Sequence, residues 1–239
     1  MSFQFKQFFI DDDRCAMKVG TDSILLGSWV ALDGVQTVLD MGCGCGILSL
    51  MLAQRLQGQP HFAIAALEID PTACQQAREN VASSPWAERI SVIHDDAARF
   101  APAHLHAFDL IVANPPYFPL GMPCRSARRE QARYVGNSAL NSHLDWLLCA
   151  KAMLRAQGAI ALVLPYEAGL ALSEQSAVYG LYCHARLVIS STPQKAPRRV
   201  LLRFGLQEKI CAQQTLVIHD GGDYSREYQQ LTGDFYLRF

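Results

Sequence analysis

From about residue 35 to 190 the chain alternates between short apolar, β-branched runs and longer stretches with apolar residues at helical spacing. Gln36-Thr37-Val38-Leu39 stops at a group of glycines, and Ile47 to Ala53 then reads as a helix. His61 to Leu67 predicts a buried strand. Asp70-Pro71 is an N-cap followed by proline at the first helical position, opening a helix through Val81. Ile90 to His94 and Phe108 to Val112 predict further strands, and Asn137 or Ser138 can cap a long helix ending near Gly158. Ala159 to Leu164 is nearly all apolar, as in the middle of a sheet covered on both faces. Leu181 to Ser190 and Arg199 to Leu206 complete the strands; without a helix between them they predict an antiparallel hairpin at one end of the sheet. Residues 1–34 read as an arm and a helix (Asp22 to Leu32) packed on that sheet. The alternation predicts an open, mostly parallel α/β sheet with right-handed crossovers, in one domain over residues 1–239.

Half of the 239 residues are hydrophobic and 18% are charged, which excludes a disordered chain. The net charge of −1 excludes a basic coat over the whole surface but leaves room for a local basic patch. No run approaches the ~20 apolar residues of a membrane span, and the first residues lack a signal peptide's basic-then-apolar order. A cytoplasmic protein without a membrane is the expectation. Eight cysteines lack a CxxC pair or zinc-ligand spacing, so reduced thiols and no metal are expected.

Val38-Leu39-Asp40-Met41-Gly42-Cys43-Gly44-Cys45-Gly46 ends the first strand and opens a helix. Glycines there let the backbone turn tightly and approach a ligand closely. The G-x-G-x-G spacing departs from the dinucleotide G-x-G-x-x-G, and an acid before the loop suits a ligand with a cation rather than a pyrophosphate. S-adenosylmethionine has that chemistry. Glu68 ends the next strand, where a carboxylate can accept from both ribose hydroxyls. Asp96 ends the third, where an acid can accept from an adenine amino group. These features alone leave a nicotinamide dinucleotide open.

Asn114-Pro115-Pro116-Tyr117 follows the fourth strand. Two prolines lock a projecting turn. The Asn114 side-chain oxygen and the Pro115 carbonyl can then hold the hydrogens of one NH2 group, aiming its lone pair at a methyl donor. Tyr117 offers a face for stacking a planar substrate.

With this motif in place, the sequence resembles class I S-adenosylmethionine-dependent methyltransferases that act on planar nitrogens. Within them it resembles the bacterial tRNA1(Val) adenine-N6 methyltransferase family. The likeness is carried by Phe3 to Phe9, Asp13 to Asp22, Ser84 to Ile90, Arg129 to Tyr134, Arg199 to Leu202 and Asp234 to Leu237. The resemblance implies a Rossmann-like seven-stranded sheet with an antiparallel last strand, S-adenosylmethionine as cofactor and tRNA as substrate, with no obligate protein partner. It maps cofactor acids to Asp40, Glu68 and Asp96 around Gly42, Gly44 and Gly46. It maps the methyl-acceptor residues to Asn114, Pro115, Pro116 and Tyr117, sets Asn114 also among the cofactor-binding residues, and lays Lys18, Gly20 and Thr21 over the cofactor. Cys43 and Cys45 depart from the family's usual small or hydroxyl residues and would add sensitivity to oxidation.

Arg125, Arg128, Arg129 and Arg133 follow the motif directly, and Lys195, Arg198, Arg199 and Arg203 lie near the last hairpin. Lys6, Arg14 and Lys18 sit in the arm. A base flipped from an anticodon loop needs cations for its flanking phosphates, so these groups are candidate RNA contacts. The alternatives are a protein glutamine N5-methyltransferase, which usually carries an additional N-terminal helical domain, an rRNA guanine-N2 methyltransferase, a DNA adenine methyltransferase, and a tRNA-binding module without chemistry.

Overall fold

The computed structural model describes residues 2–116 and 140–238. Tyr117, Arg125, Arg128, Arg129, Arg133, Asn137 and Ser138 lie outside the described residues. The main sheet is built from β3 (Thr37–Met41), β4 (Ala63–Glu68), β5 (Ile90–His94), β6 (Phe108–Ala113), β7 (Leu154–Pro165), β8 (Tyr182–Ser190), β9 (Arg199–Gly205) and β10 (Ala212–Val217). Their order is β10-β8-β9-β7-β6-β3-β4-β5. β9 runs antiparallel to both β7 and β8, and every other neighbouring pair in this sheet is parallel.

The expected antiparallel hairpin is therefore present as β8–β9. The expected count of seven strands is one short, because β10 adds a parallel edge strand beside β8. Its sequence, Ala-Gln-Gln-Thr-Leu-Val, buries Leu216 while the four residues before it stay exposed. A polar edge strand of this kind lacks the apolar alternation of a half-buried strand.

Alternate residues of the central strands feed two cores. Val38, Ile64, Ala66, Leu110 and Val112 pack with residues of α1 (Thr21–Trp29), α2 (Ile47–Leu56) and α3 (Pro71–Ala82). Leu39, Met41, Ile111 and Ala113 pack on the opposite face with residues of α5 (His143–Met153) and α6 (Tyr166–Ser176), and with Phe100 of the short α4 (Ala97–Phe100). A fully buried Leu contributes roughly 1.5–3 kcal/mol relative to exposure, so these two layers dominate stability. Asp70 caps α3 as expected, its Oδ1 accepting from Thr72 and Ala73 N–H at 2.7 and 2.9 Å. Helix α5 starts at the Ser142 cap and stops at Met153, before the Gly158 that the sequence suggested, because β7 begins at Leu154.

The N-terminal arm is a small antiparallel hairpin, β1 (Ser2–Gln4) with β2 (Phe9–Asp11), closed by Phe5 stacked on Phe8. The buried Asn80 of α3 ties it down. Its Oδ1 accepts from Asp11 N–H at 2.9 Å, and its Nδ2 donates to the carbonyls of Asp11 and Cys45, each at 2.8 Å. One side chain thus joins the arm, α3 and the glycine loop. No helix among the described residues is long and apolar enough to cross a membrane.

Candidate active site

The chain runs from β3 outward to β5 and returns to place β6 beside β3 on the other side. The crevice at the carboxyl ends of β3 and β6 is thus the topological switch point, where open α/β sheets take ligands. A cavity lies there, lined by Gly42 and Gly44 of the glycine loop, Glu68 to Asp70 after β4, and Ala73 of α3. Asn114 and Pro116 after β6, Trp146 of α5, and Cys15, Ala16 and Met17 of the arm close it.

The loop is fixed by backbone chemistry. Gly42 and Cys43 N–H both donate to the Leu67 carbonyl, at 2.8 and 2.9 Å, and Gly44 N–H donates to Glu68 Oε2 at 2.8 Å. Glu68 Oε1 accepts from Asp70 N–H at 2.9 Å, so one carboxylate braces the loop and the start of α3. Burial pushes the Glu68 carboxyl above its ordinary pKa, against those backbone bonds. Gly42 has φ +78°, and a Cβ there would come within 2.8 Å of the Trp146 ring. At Gly44 (φ +57°) a Cβ would meet no heavy atom within 4 Å, so its missing side chain leaves open space beside the Glu68 carboxylate. That combination suits a ribose joined to a cationic group better than one joined to a pyrophosphate.

Asp40 stands apart from the cavity. It is wholly buried beneath the loop, its Oδ2 accepting from Ser49 N–H at 3.0 Å and Ser49 Oγ–H at 2.7 Å. Expected from the sequence as a cofactor acid, it ties β3 to α2 in the structure. Burial raises its carboxyl to about 7, opposed by the Ser49 bonds. Below pH 3.8 folded and unfolded chains both carry this proton. Between 3.8 and about 7 the folded state keeps a proton that the unfolded chain releases, so stability falls as pH rises; above about 7 the loss levels off. Asp40→Asn keeps the acceptor for Ser49 and cannot ionise. Its melting temperature relative to wild type should therefore rise by on the order of 5 °C between pH 5 and pH 8. A constant difference across a pH series of calorimetric melts would refute the buried titration.

Asp96 is also outside the lining. It is the N-cap of α4, Oδ1 accepting from Ala98 N–H at 2.8 Å. The arm comes over the cavity through Cys15, Ala16 and Met17 rather than through Lys18, Gly20 and Thr21. The Lys18 ammonium is taken by the carbonyls of Asp12 and Asp13 at 2.6 and 3.0 Å, and Gly20 and Thr21 begin α1. Gly46 is the left-handed cap of α2, its carbonyl accepting from Leu50 N–H. Cys43 and Cys45 are buried. Burial holds the Cys43 thiol well above its usual pKa, and a hydrogen bond with Cys15 does the same for Cys45. Thiols so held are poor nucleophiles, contrary to the expected oxidation sensitivity.

Asn114 reaches the cavity with its Nδ2 donating to Ser23 Oγ at 3.0 Å. His143, one turn before Trp146 on α5, has its pKa lowered by burial, against a bond to the Pro116 backbone. Sequence reasoning missed Ser23, Trp146 and Ile69. The Ser142-x-x-Asp145 capping pattern was the available signal for the start of α5, where Ser142 Oγ accepts from Asp145 N–H.

Several candidate RNA cations are committed internally. Lys6 donates to the Gly233 carbonyl, Arg14 pairs with Glu79, and Arg199 Nε donates to Asp22 Oδ2 at 2.9 Å. Arg199 lies level with Pro165 and Ile189, at the carboxyl ends of β7 and β8. The β8–β9 turn therefore does reach the cavity edge of the sheet, and Arg198 and Lys195 are exposed in it. Among the described residues, no group of three His, Cys, Asp or Glu side chains is arranged to hold a metal ion.

The fold and the site define a Rossmann-like methyltransferase. Residues 15–170 match the Methyltransferase small domain family. A protein of Agrobacterium tumefaciens described as a predicted O-methyltransferase superposes with a TM-score of 0.65 at 20% identity, over 90% of this chain and 96% of its own. A type I restriction-modification methyltransferase subunit from Streptococcus thermophilus superposes with a TM-score of 0.61 at 16% identity, over 92% of this chain and 52% of its own. Sequence relatives are far nearer. The tRNA1(Val) (adenine(37)-N6)-methyltransferase of Pasteurella multocida is 48% identical over 99% of this chain and 97% of its own. Those of Histophilus somni and Haemophilus influenzae are 46% and 45% identical, over 99% of this chain and 98% and 99% of theirs. The chain belongs to this tRNA1(Val) adenine-N6 methyltransferase family.

Proposed function

We propose that this protein methylates the N6 amine of adenine 37 in tRNA1(Val), with S-adenosylmethionine as methyl donor. The observation that carries the reading is Asn114, held at the switch-point cavity across from the glycine loop and Glu68. S-adenosylmethionine supplies, when bound, a methyl group on a sulfonium that a neutral amine can attack. Glu68 presents its carboxylate to the ribose, and the Gly44 backbone leaves room for the ligand. Met17 and Ala16 close the arm side, and Ile69 gives an apolar surface beside Glu68.

At the acceptor end, Asn114 Oδ1 and the Pro115 carbonyl accept the two hydrogens of the exocyclic amine. That orients the nitrogen lone pair without ionising any side chain. Tyr117 stacks on the flipped base. Alignment of this kind can supply ~7–11 kcal/mol of barrier reduction, so no charged general base is needed before attack. Arg198 and the arginines after the motif take flanking phosphates, which gives binding a salt slope of about 0.7 for each single-strand contact.

Incubating unmodified tRNA1(Val) transcript with the enzyme and methyl donor should yield N6-methyladenosine at position 37, read by nucleoside mass analysis and fragment mapping. Methyl groups on guanine N2, or on glutamine of added protein, with adenine unchanged, would overturn the assignment.

A further inference from the structure

Asn114 enters the cavity at the end of β6, but its amide is held from another element. Ser23 lies in the first turn of α1, is 8% exposed, and is separated from Asn114 by 91 residues. Its Oγ accepts from Asn114 Nδ2 at 3.0 Å. Helix α1 is itself anchored. Arg199 bonds Asp22, the residue before Ser23, and Gly27 lets the helix lie so close to α2 that a Cβ there would sit 2.8 Å from Met51 Sδ.

A carboxamide has two ends of nearly equal size and opposite polarity: an oxygen that accepts and an NH2 that donates. The torsion that exchanges them is broad and roughly two-fold. Only one of the two arrangements serves an amine acceptor, since the reversed amide would set N–H against N–H. Resting on the reading that Asn114 accepts from the substrate amine, we infer that Ser23 is a positioning residue for methyl transfer. In the observed arrangement its hydroxyl takes an Nδ2 hydrogen, which holds the amide against rotation and leaves Oδ1 free for the amine. Ser23 does not line the cavity and acts through Asn114.

Removing the hydroxyl frees the amide to rotate and leaves Nδ2 unpaired on the buried side. A reacting group displaced by about 1 Å can cost on the order of 100-fold in rate. Ser23→Ala should therefore lower kcat on tRNA1(Val) transcript by about 10- to 100-fold, while KM for the transcript and the dissociation constant for S-adenosylhomocysteine stay within about twofold. Ser23→Thr, which restores an oxygen at the same carbon, should recover most of kcat. Wild-type kcat in Ser23→Ala overturns the inference, as does a fall that Ser23→Thr leaves uncorrected.

A measurement on the wild-type enzyme guards against misfolded variants. With 15N-labelled asparagine, the Asn114 side-chain NH2 signals, identified by their loss in Asn114→Ala, should exchange with solvent more slowly than those of exposed Asn141. Exchange as fast as at Asn141 overturns the inference. The Asn114→Ala enzyme separates the two layers. If it turns over normally, the acceptor reading fails and the role of Ser23 falls with it. If it is inactive while Ser23→Ala matches wild type, only the role of Ser23 fails.

Discussion

Asn114→Ala should abolish methyl transfer to adenine while the enzyme still binds S-adenosylmethionine with nearly wild-type affinity. The variant removes Oδ1, one of the two acceptors proposed for the amine hydrogens, and leaves the glycine loop, Glu68 and the arm side of the cavity unchanged. Taking one preorganised polar group away from a developing transition state costs roughly 10²–10³ in kcat. Here the group also sets the direction of the lone pair, which places the expected loss at the upper end. Single-turnover kinetics with saturating cofactor and transcript measure the chemical step directly. Asn does not titrate, so no acid limb in the pH–rate profile should arise from this residue. Near-normal turnover in Asn114→Ala would contradict the proposed mechanism.

The reach of the sequence toward this site follows how local each contact is. The glycine loop could be read because β3, its glycines and the Ile47 to Ala53 helix are contiguous, and the loop bends where φ reaches +78° at Gly42 and +86° at Gly46. Glu68 and Asn114 could be read because each ends an apolar strand at the edge where such sheets bind ligands. Asp40 and Asp96 met the same criterion, and both bond backbone N–H groups outside the cavity lining. Ser49, nine residues along, claims Asp40, and Ala98 claims Asp96 as a helix cap. The cap at Asp96 has the same chemistry as the one at Asp70, which the proline after it made visible. A strand-end acid alone does not say which neighbour will use it.

Long-range contacts were invisible for a related reason. Nothing in the pattern around Ser23 or Trp146 announces a partner at Asn114 or Gly42, because those contacts exist only once the sheet has brought β3 and β6 together. Likewise Arg14 and Arg199 read as candidate RNA contacts from the sequence, which does not show that α3 and α1 set Glu79 and Asp22 beside them. Strand β10 went unread because its Gln-Gln-Thr face stays in water, so its pairing with β8 leaves little trace in hydrophobicity.

Glu68→Ala should weaken S-adenosylmethionine binding by about 10- to 100-fold. Hydrogen bonds to a charged group contribute ~1.5–3 kcal/mol, and every 1.4 kcal/mol is tenfold in affinity. The ribose loses its proposed acceptor, and the loop loses the brace that places Gly44, because Gly44 N–H donates to Oε2 and Asp70 N–H to Oε1 in the intact chain. Stability should respond less than affinity. Two backbone donors lose their partner, but the buried carboxylate whose pKa is raised by burial also disappears, and with it the cost of desolvating that charge. The two effects oppose each other, so the ligand-free melting temperature should fall by only a few degrees, about 2–4 °C per kcal/mol for a chain of this size. Glu68→Gln separates the contributions: its amide oxygen still accepts from one N–H, while its NH2 meets the other as donor against donor. Its affinity should lie between wild type and Glu68→Ala. Titration calorimetry on all three enzymes, with NAD as a control ligand, provides the test. Unchanged affinity in Glu68→Ala would remove Glu68 from the cofactor site, and tighter binding of NAD than of S-adenosylmethionine by the wild type would overturn the cofactor assignment.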